Sequence, residues 1–196
     1  MSQEIYDVVI FGTGPAGLQA AIHAARAKAS VLVMGRKYKS SLYKAHVENY
    51  CCLSGVSGEE LLKQGVKQAS DSGARFLHEE SDVIIHLGRK VKNIAGEDKV
   101  QGLYMDNNQW LDVEGVFIET GAKGAVELAA ALGVALDDES FQYIVTDKKQ
   151  QTNMAGVYAA GDICGPPWQM AKAVGEGCVA GLSAAKYAKK VKQEQK

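Results

Sequence analysis

Apolar and polar positions along the chain follow two periods, one of strands and one of helices. "DVVIF" at residues 7–11 is a short β-branched run stopped by a glycine cluster, which predicts a buried parallel strand. In "GPAGLQAAIHAARAKA" the residues Leu18, Ala21, Ile22 and Ala25 recur at helical spacing, and "SVLVMG" returns as a second buried strand. These pieces form a βαβ unit with an expected right-handed crossover. After a polar loop over residues 36–49, "SGEELLKQGVKQASDSGA" predicts a helix with Leu61, Leu62 and Val66 on its buried stripe. Ser57 with Glu60 three residues on has the pattern of a capping box. "RFL" is a third short strand. Over residues 82–113 the segments "DVIIHLG", "KVKNIAG", "KVQGLYM" and "QWLDV" are separated by Gly, Asp and Asn turns, the signature of antiparallel strands. Beyond them "GVFIETG", "QYIVTD" and "GVYAAGD" are expected as strands, "AVELAAALGVAL" as a helix and "PWQMAKAVGEGCVAGLSAAKYAKK" as a long closing helix. The terminal "KKVKQEQK" is expected as a frayed, solvated end.

This succession predicts an α/β fold, a three-layer Rossmann-like domain with a central parallel sheet and an antiparallel β-meander over one side. A chain of 196 residues suits one core of this kind. The net charge of −1 provides no basic surplus for nucleic acid or an anionic membrane. No apolar run approaches the ~18–20 residues of a membrane span, and the N-terminus lacks the layout of a signal peptide. A cytoplasmic location is therefore expected, with Cys51, Cys52, Cys164 and Cys178 as free thiols. No CxxC or His/Cys spacing suggests a metal.

"GTGPAG" sets Gly12, Gly14 and Gly17 in a GxGxxG frame between the first strand and first helix. Gly12 permits the tight turn, Gly14 admits a pyrophosphate close to the backbone, and Gly17 allows close helix-to-strand packing. The helix start adds N–H groups and a favourable dipole for phosphates. A dinucleotide is the natural ligand, although the motif alone does not separate NAD from FAD. Met34 stands at the end of the second strand, where an acidic ribose ligand would favour NAD.

Near the other end, "TNMAGVYAAGD" precedes a helix carrying "GEGCVAG". Taken with "GTGPAG", with "VENY" followed by "SGEELLKQ", and with "GVFIETG", this order of motifs resembles the FAD-binding domain of the thioredoxin reductase-like pyridine nucleotide-disulfide oxidoreductases. The resemblance implies FAD as cofactor. It implies that Thr13, Gly14, Pro15 and Ala16, framed by Gly12 and Gly17, wrap the pyrophosphate, and that Asn49 contacts the flavin region. Within "AAGD", Gly161 leads to Asp162, whose match hydrogen-bonds the ribityl chain or nearby phosphate oxygens. By the same resemblance Gln169, Met170 and Ala171 are expected to face the flavin's pyrimidine edge, where a helix N-terminus suits negative charge. The likeness is to one FAD-binding domain over residues 1–196: a first FAD segment over about 1–80, the meander over about 82–113 and a second FAD segment over about 114–190.

The family's inserted nicotinamide domain has no counterpart, since a second glycine fingerprint and a CxxC are absent from the sequence. The glycine-glycine-glutamine segment of many relatives is replaced by "GRKYKSSLYKAH", where Arg36, Lys37 and Lys39 supplement phosphate binding or form a solvated loop. The expected function is an FAD-binding oxidoreductase-type flavoprotein supplied with electrons from outside, by a partner protein, free NAD(P)H or a small thiol. It is not a self-sufficient NADPH-thioredoxin reductase. The alternative is a non-catalytic FAD-binding module or a subunit of a larger redox complex. A homodimer is expected, because the missing domain leaves surface to cover. Cys51 and Cys52 follow directly on Asn49 and are candidate redox residues, with two small turn residues as the plain alternative. His46, His78 and His86 are candidates by residue type only, with a surface or strand histidine as the plain alternative; His23 is expected as packing within the first helix, and Tyr50 and Trp168, near the flavin-contacting segments, stack on the ring or pack in the core.

Overall fold

The computed structural model describes residues 5–35, 40–77, 91–96, 101–105, 110–112, 116–118 and 122–194. In chain order these form β1 (Val8–Phe11), α1 (Pro15–Arg26), β2 (Val31–Met34), a 3-10 turn (Ser41–Lys44), β3 (His46–Val47) and β4 (Val56–Ser57). Then come α2 (Gly58–Asp71), β5 (Arg75–Leu77), β6 (Val91–Ala95), β7 (Gly102–Met105), β8 (Trp110–Asp112), β9 (Val116–Ile118) and α3 (Ala122–Ala131). The chain closes with β10 (Val157–Ala159), a second 3-10 turn (Asp162–Cys164) and α4 (Met170–Glu194).

Five parallel strands make the central sheet in the order β10-β9-β1-β2-β5. Strand side chains alternate between its faces, so β1, β2 and β10 each feed two cores. Val8 and Ile10 of β1, Val31 and Val33 of β2, and Tyr158 of β10 pack with the alanines of α1 and α4. Val9, Phe11, Leu32, Met34, Val157 and Ala159 face the other way, against Ala129 of α3, Leu132, Ile144 and Leu103 of the meander. The result is the expected three layers, with β6-β7-β8 as an antiparallel meander. "DVIIHLG", His78, His86, Arg36, Lys37 and Lys39 lie outside the described residues.

α1 and α4 approach closely because small residues face each other. A methyl added at Gly177 would overlap the Ala16 carbonyl, and one at Gly181 would overlap the Ala20 carbonyl. At the start of α2, Ser57 Oγ accepts the Glu60 N–H at 3.2 Å, as the capping pattern predicts. The Glu60 carboxylate accepts from Gln64 Nε2, one turn on in the helix, at 3.0 Å.

Several expectations are corrected. "QYIVTD" is not a strand; an isolated bridge joins Ile144 to Leu136, and the Ile144 and Val145 N–H groups donate to the Ile163 and Ala135 carbonyls. The Asp137 carboxylate accepts the N–H groups of Ser140, Gln142 and Tyr143, while that of Asp147 accepts those of Lys149 and Gln151. Side chains thus take donors that a sheet ladder needs, although Ile144 remains a core residue. α3 begins earlier than expected and ends at Ala131, where the Val134 N–H closes on the Ala129 carbonyl at 3.0 Å. α4 begins at Met170, past a cis Pro166–Pro167 bond. The tail expected to fray is helical to Glu194, with Val191 buried and the Lys192 ammonium on the Asp7 carboxylate.

Candidate functional site

The glycine turn leaves the C-terminal end of β1 and enters α1. Gly12 takes φ 135°, a conformation open to glycine, and its N–H donates to the Met34 carbonyl at 2.7 Å. Gly14 is the N-cap, Pro15 opens the helix, and no side chain caps the first turn. Intrahelical bonding starts with the Leu18 N–H on the Gly14 carbonyl. This is the arrangement that receives an anion at a helix start.

β10 delivers the second segment to the same place. Gly161 takes φ 90° and ψ −150°, and a Cβ there would lie 3.1 Å from the Ala16 Cβ. The "AAGD" turn therefore rests against the first turn of α1. Two groups of α4 hold it: Glu176 accepts the Gly161 N–H at 2.8 Å, and the Lys172 ammonium donates to the Gly161 carbonyl at 3.0 Å. Lys172 and Glu176 also pair with each other at 3.0 Å, with about four-fifths of each side chain covered. This clamp escaped the sequence reading. Its i,i+4 Lys–Glu spacing is legible in the helix, but its direction toward Gly161 is not. Asp162 opens the 3-10 turn and is exposed.

A third segment arrives from the hairpin β3-β4. Asn49 Nδ2 donates to Gln169 Oε1 at 2.8 Å, across 120 residues of sequence. Met170 and Ala171 follow at the start of α4. The sequence-derived candidates thus gather into two contacts, Gly161 with Ala16 and Asn49 with Gln169. Cys51 and Cys52 lie on the exposed turn next to Asn49, with their sulfurs 3.4 Å apart. Tyr50 is half-buried and pairs with Leu53, whereas Trp168 is 62% exposed. His46 is exposed, 3.9 Å from Glu48, and His23 lies within α1. Among the described residues no group of three or more His, Cys, Asp or Glu side chains is set to hold a metal.

Cys164 ends the second 3-10 turn and lines a cleft of about 490 Å³ with Tyr143, Val145, Thr146 and Pro166. Burial, with Glu176 adding to it, pushes its thiol up to about 12. It is a thiol held protonated at neutral pH and is chemically quiet.

The start of α1, where no side chain caps the first turn, the glycine turn and the apposed Gly161 have the form that fits a dinucleotide's pyrophosphate. Residues 57–177 match the family "pyridine nucleotide-disulphide oxidoreductase", and residues 7–46 match "FAD binding domain". A thioredoxin reductase of Ureaplasma parvum is 34% identical over 96 residues, which are 48% of this chain and 31% of that protein. The "34.2 kDa protein in rubredoxin operon" of Clostridium pasteurianum is 28% identical over 188 residues, 92% of this chain and 51% of that one. The chain spans about a third to a half of the length of these curated relatives. A solved thioredoxin reductase from Gloeobacter violaceus shares the fold, with a TM-score of 0.73 at 16% identity, covering 96% of this chain and 97% of that one. Among the described residues no helix is long and apolar enough to cross a membrane. This chain is an FAD-binding member of the pyridine nucleotide-disulphide oxidoreductase family.

Proposed function

We propose that the chain is an FAD-dependent oxidoreductase that takes its electrons from a donor outside itself. The observation that carries this reading is the convergence of segments far apart in sequence: Gly161 against Ala16, and Asn49 on Gln169. Bound FAD supplies two-electron acceptor and donor chemistry. In this reading residues 1–196 act as one FAD domain with segments over about 1–80 and 114–190. Gly12, Thr13, Gly14, Pro15, Ala16 and Gly17 hold the pyrophosphate, and Gly161 presents Asp162 to the ribityl or phosphate oxygens. Asn49 and Gln169 fix each other at the flavin end. Met170 and Ala171 direct the positive end of α4 toward negative charge there. Lys172 and Glu176 position Gly161. Support for an external donor is that these 196 residues carry one GxGxxG and no CxxC. The reading includes a homodimer, supported by exposed Val179 and Leu182, three residues apart on α4, and by exposed Trp168.

The test is an anaerobic titration of the purified yellow protein with NADH, NADPH, dithiothreitol and a reduced small redox protein, followed by flavin absorbance. Bleaching by at least one donor is expected. Bleaching by dithionite alone would overturn the enzyme reading and leave a flavin-carrying subunit. The native mass of the same sample should be twice that of one chain.

A further inference from the structure

We propose that Cys51 and Cys52 form a two-thiol exchange site that closes reversibly to an intrachain disulfide on meeting a low-molecular-weight disulfide. This goes beyond the FAD reading and stands on the geometry of the two thiols themselves. Neighbouring residues of an extended segment point to opposite sides, so adjacency in sequence does not bring two thiols together. Here a turn does. Tyr50 and Leu53 bridge each other, the Leu53 N–H donates to the Tyr50 carbonyl at 3.0 Å, and Cys51 and Cys52 are the two residues between them. Cys52 takes φ 66°, in the left-handed region that few non-glycine residues adopt. The two sulfurs end 3.4 Å apart.

The site is both accessible and anchored. Both cysteines are exposed, whereas Cys164 and Cys178 are partly covered. The hairpin fixes the base of the loop, with His46 opposite Ser57 and Val47 opposite Val56, and the Gly55 N–H donates to the Val47 carbonyl at 3.0 Å. The Asn49 contact to Gln169 ties the near side to the start of α4. The tip of a held loop therefore offers a paired thiol to solvent.

In the first step one cysteine, as thiolate, attacks one sulfur of the small disulfide. That S–S bond breaks, a mixed disulfide forms and one small thiolate leaves. The second cysteine then attacks the protein-side sulfur, the mixed disulfide breaks and the second small thiolate leaves. Two cysteine thiols are oxidised, the small disulfide is reduced to two thiols, and the two cysteine protons end on those products. Adjacent Cα atoms are about 3.8 Å apart, below the usual ~4.4–6.8 Å of bridged cysteines. The closed form is therefore readily reopened by excess small thiol, as a reversible site requires.

The full chain is incubated with oxidised glutathione, quenched by alkylation and digested, and the peptide carrying both cysteines is weighed. With the alkylation done in denaturant, the expected peptide has lost two hydrogens and carries neither alkyl group nor glutathione, while Cys164 and Cys178 are alkylated. Dithiothreitol restores two alkylatable thiols. Cys51→Ser stops at a glutathione adduct on Cys52 that the wild type does not accumulate. Wild-type peptide that stays reduced, or that holds glutathione on both cysteines without closing, would overturn the site. The readout is thiol mass rather than flavin turnover, so its failure leaves the FAD reading standing.

Discussion

At the scale of single residues, Gly161 carries two demands at once. Its φ of 90° with ψ −150° falls in a region that costs a side-chain-bearing residue about 1–3 kcal/mol. Its missing Cβ leaves room for Ala16, 3.1 Å from where that carbon would stand. Gly161→Ala is expected to lower stability by about that amount and to weaken FAD retention on gel filtration by more than the loss of folded protein explains. Unchanged retention in folded variant would show that the turn does not hold the cofactor. The glycines of "GTGPAG" were legible because each serves a backbone need that a spacing rule captures. The Lys172–Glu176 clamp was not, because its meaning lies in which distant N–H and carbonyl it meets. The contact of Asn49 with Gln169 was legible only as two separate expectations, each made by resemblance.

At the scale of elements, α4 is matched to α1 by what its residues lack. Gly→Ala inside a helix ordinarily stabilises by about 1 kcal/mol through propensity. At Gly177 and Gly181 the sign should reverse, because the added methyl meets backbone carbonyls of α1 that have no free rotamer to move. Gly177→Ala and Gly181→Ala are each expected to destabilise by about 1–3 kcal/mol in denaturant unfolding. Gly175→Ala, with open space where its Cβ would be, serves as the control and should be neutral or stabilising. An unchanged midpoint for all three would mean that the helices can separate at no cost. The parallel strands were legible from β-branched runs whose alternate residues feed two cores. "QYIVTD" misled because it has a strand's composition, and Ile144 is buried as a strand residue would be. Ser140 Oγ, with the N–H groups of Ser140, Tyr143 and Gln142, holds the Asp137 carboxyl down at about 2 and fixes a loop there instead. Such local competition by a carboxylate has no signature in hydrophobic periodicity.

At the scale of the whole molecule, the first strand and the last helix are joined by Asp7 and Lys192. Burial alone would raise the Asp7 carboxyl, but the Lys192 ammonium and the Ser30 N–H and hydroxyl overcome it and hold the group below its ordinary 3.8. The folded state therefore binds this proton less readily than the unfolded chain. The resulting stability is present above about pH 4 and drains as pH falls through the lowered folded value. Asp7→Asn is expected to cost about 1 kcal/mol near neutral pH, since Lys192 is half exposed, and progressively less in acid. Parallel wild-type and variant melting curves from pH 7 to acid would show the gap closing; a constant gap would remove the ion pair from the account. Sequence pattern gave no hint of this closure, because "KKVKQEQK" has the composition of a solvated tail and its partner stands at the far end of the chain. The same contact also has a fixed place in the sheet. β1 runs from Asp7 toward the glycine turn, so residues 7 and 192 lie together at the rim of the sheet where β1 begins, away from the end that carries Gly12 and Gly14. The Asp7–Lys192 tie therefore closes the fold from the end of β1 opposite the glycine turn and takes up none of the space in front of Gly12 and Gly14.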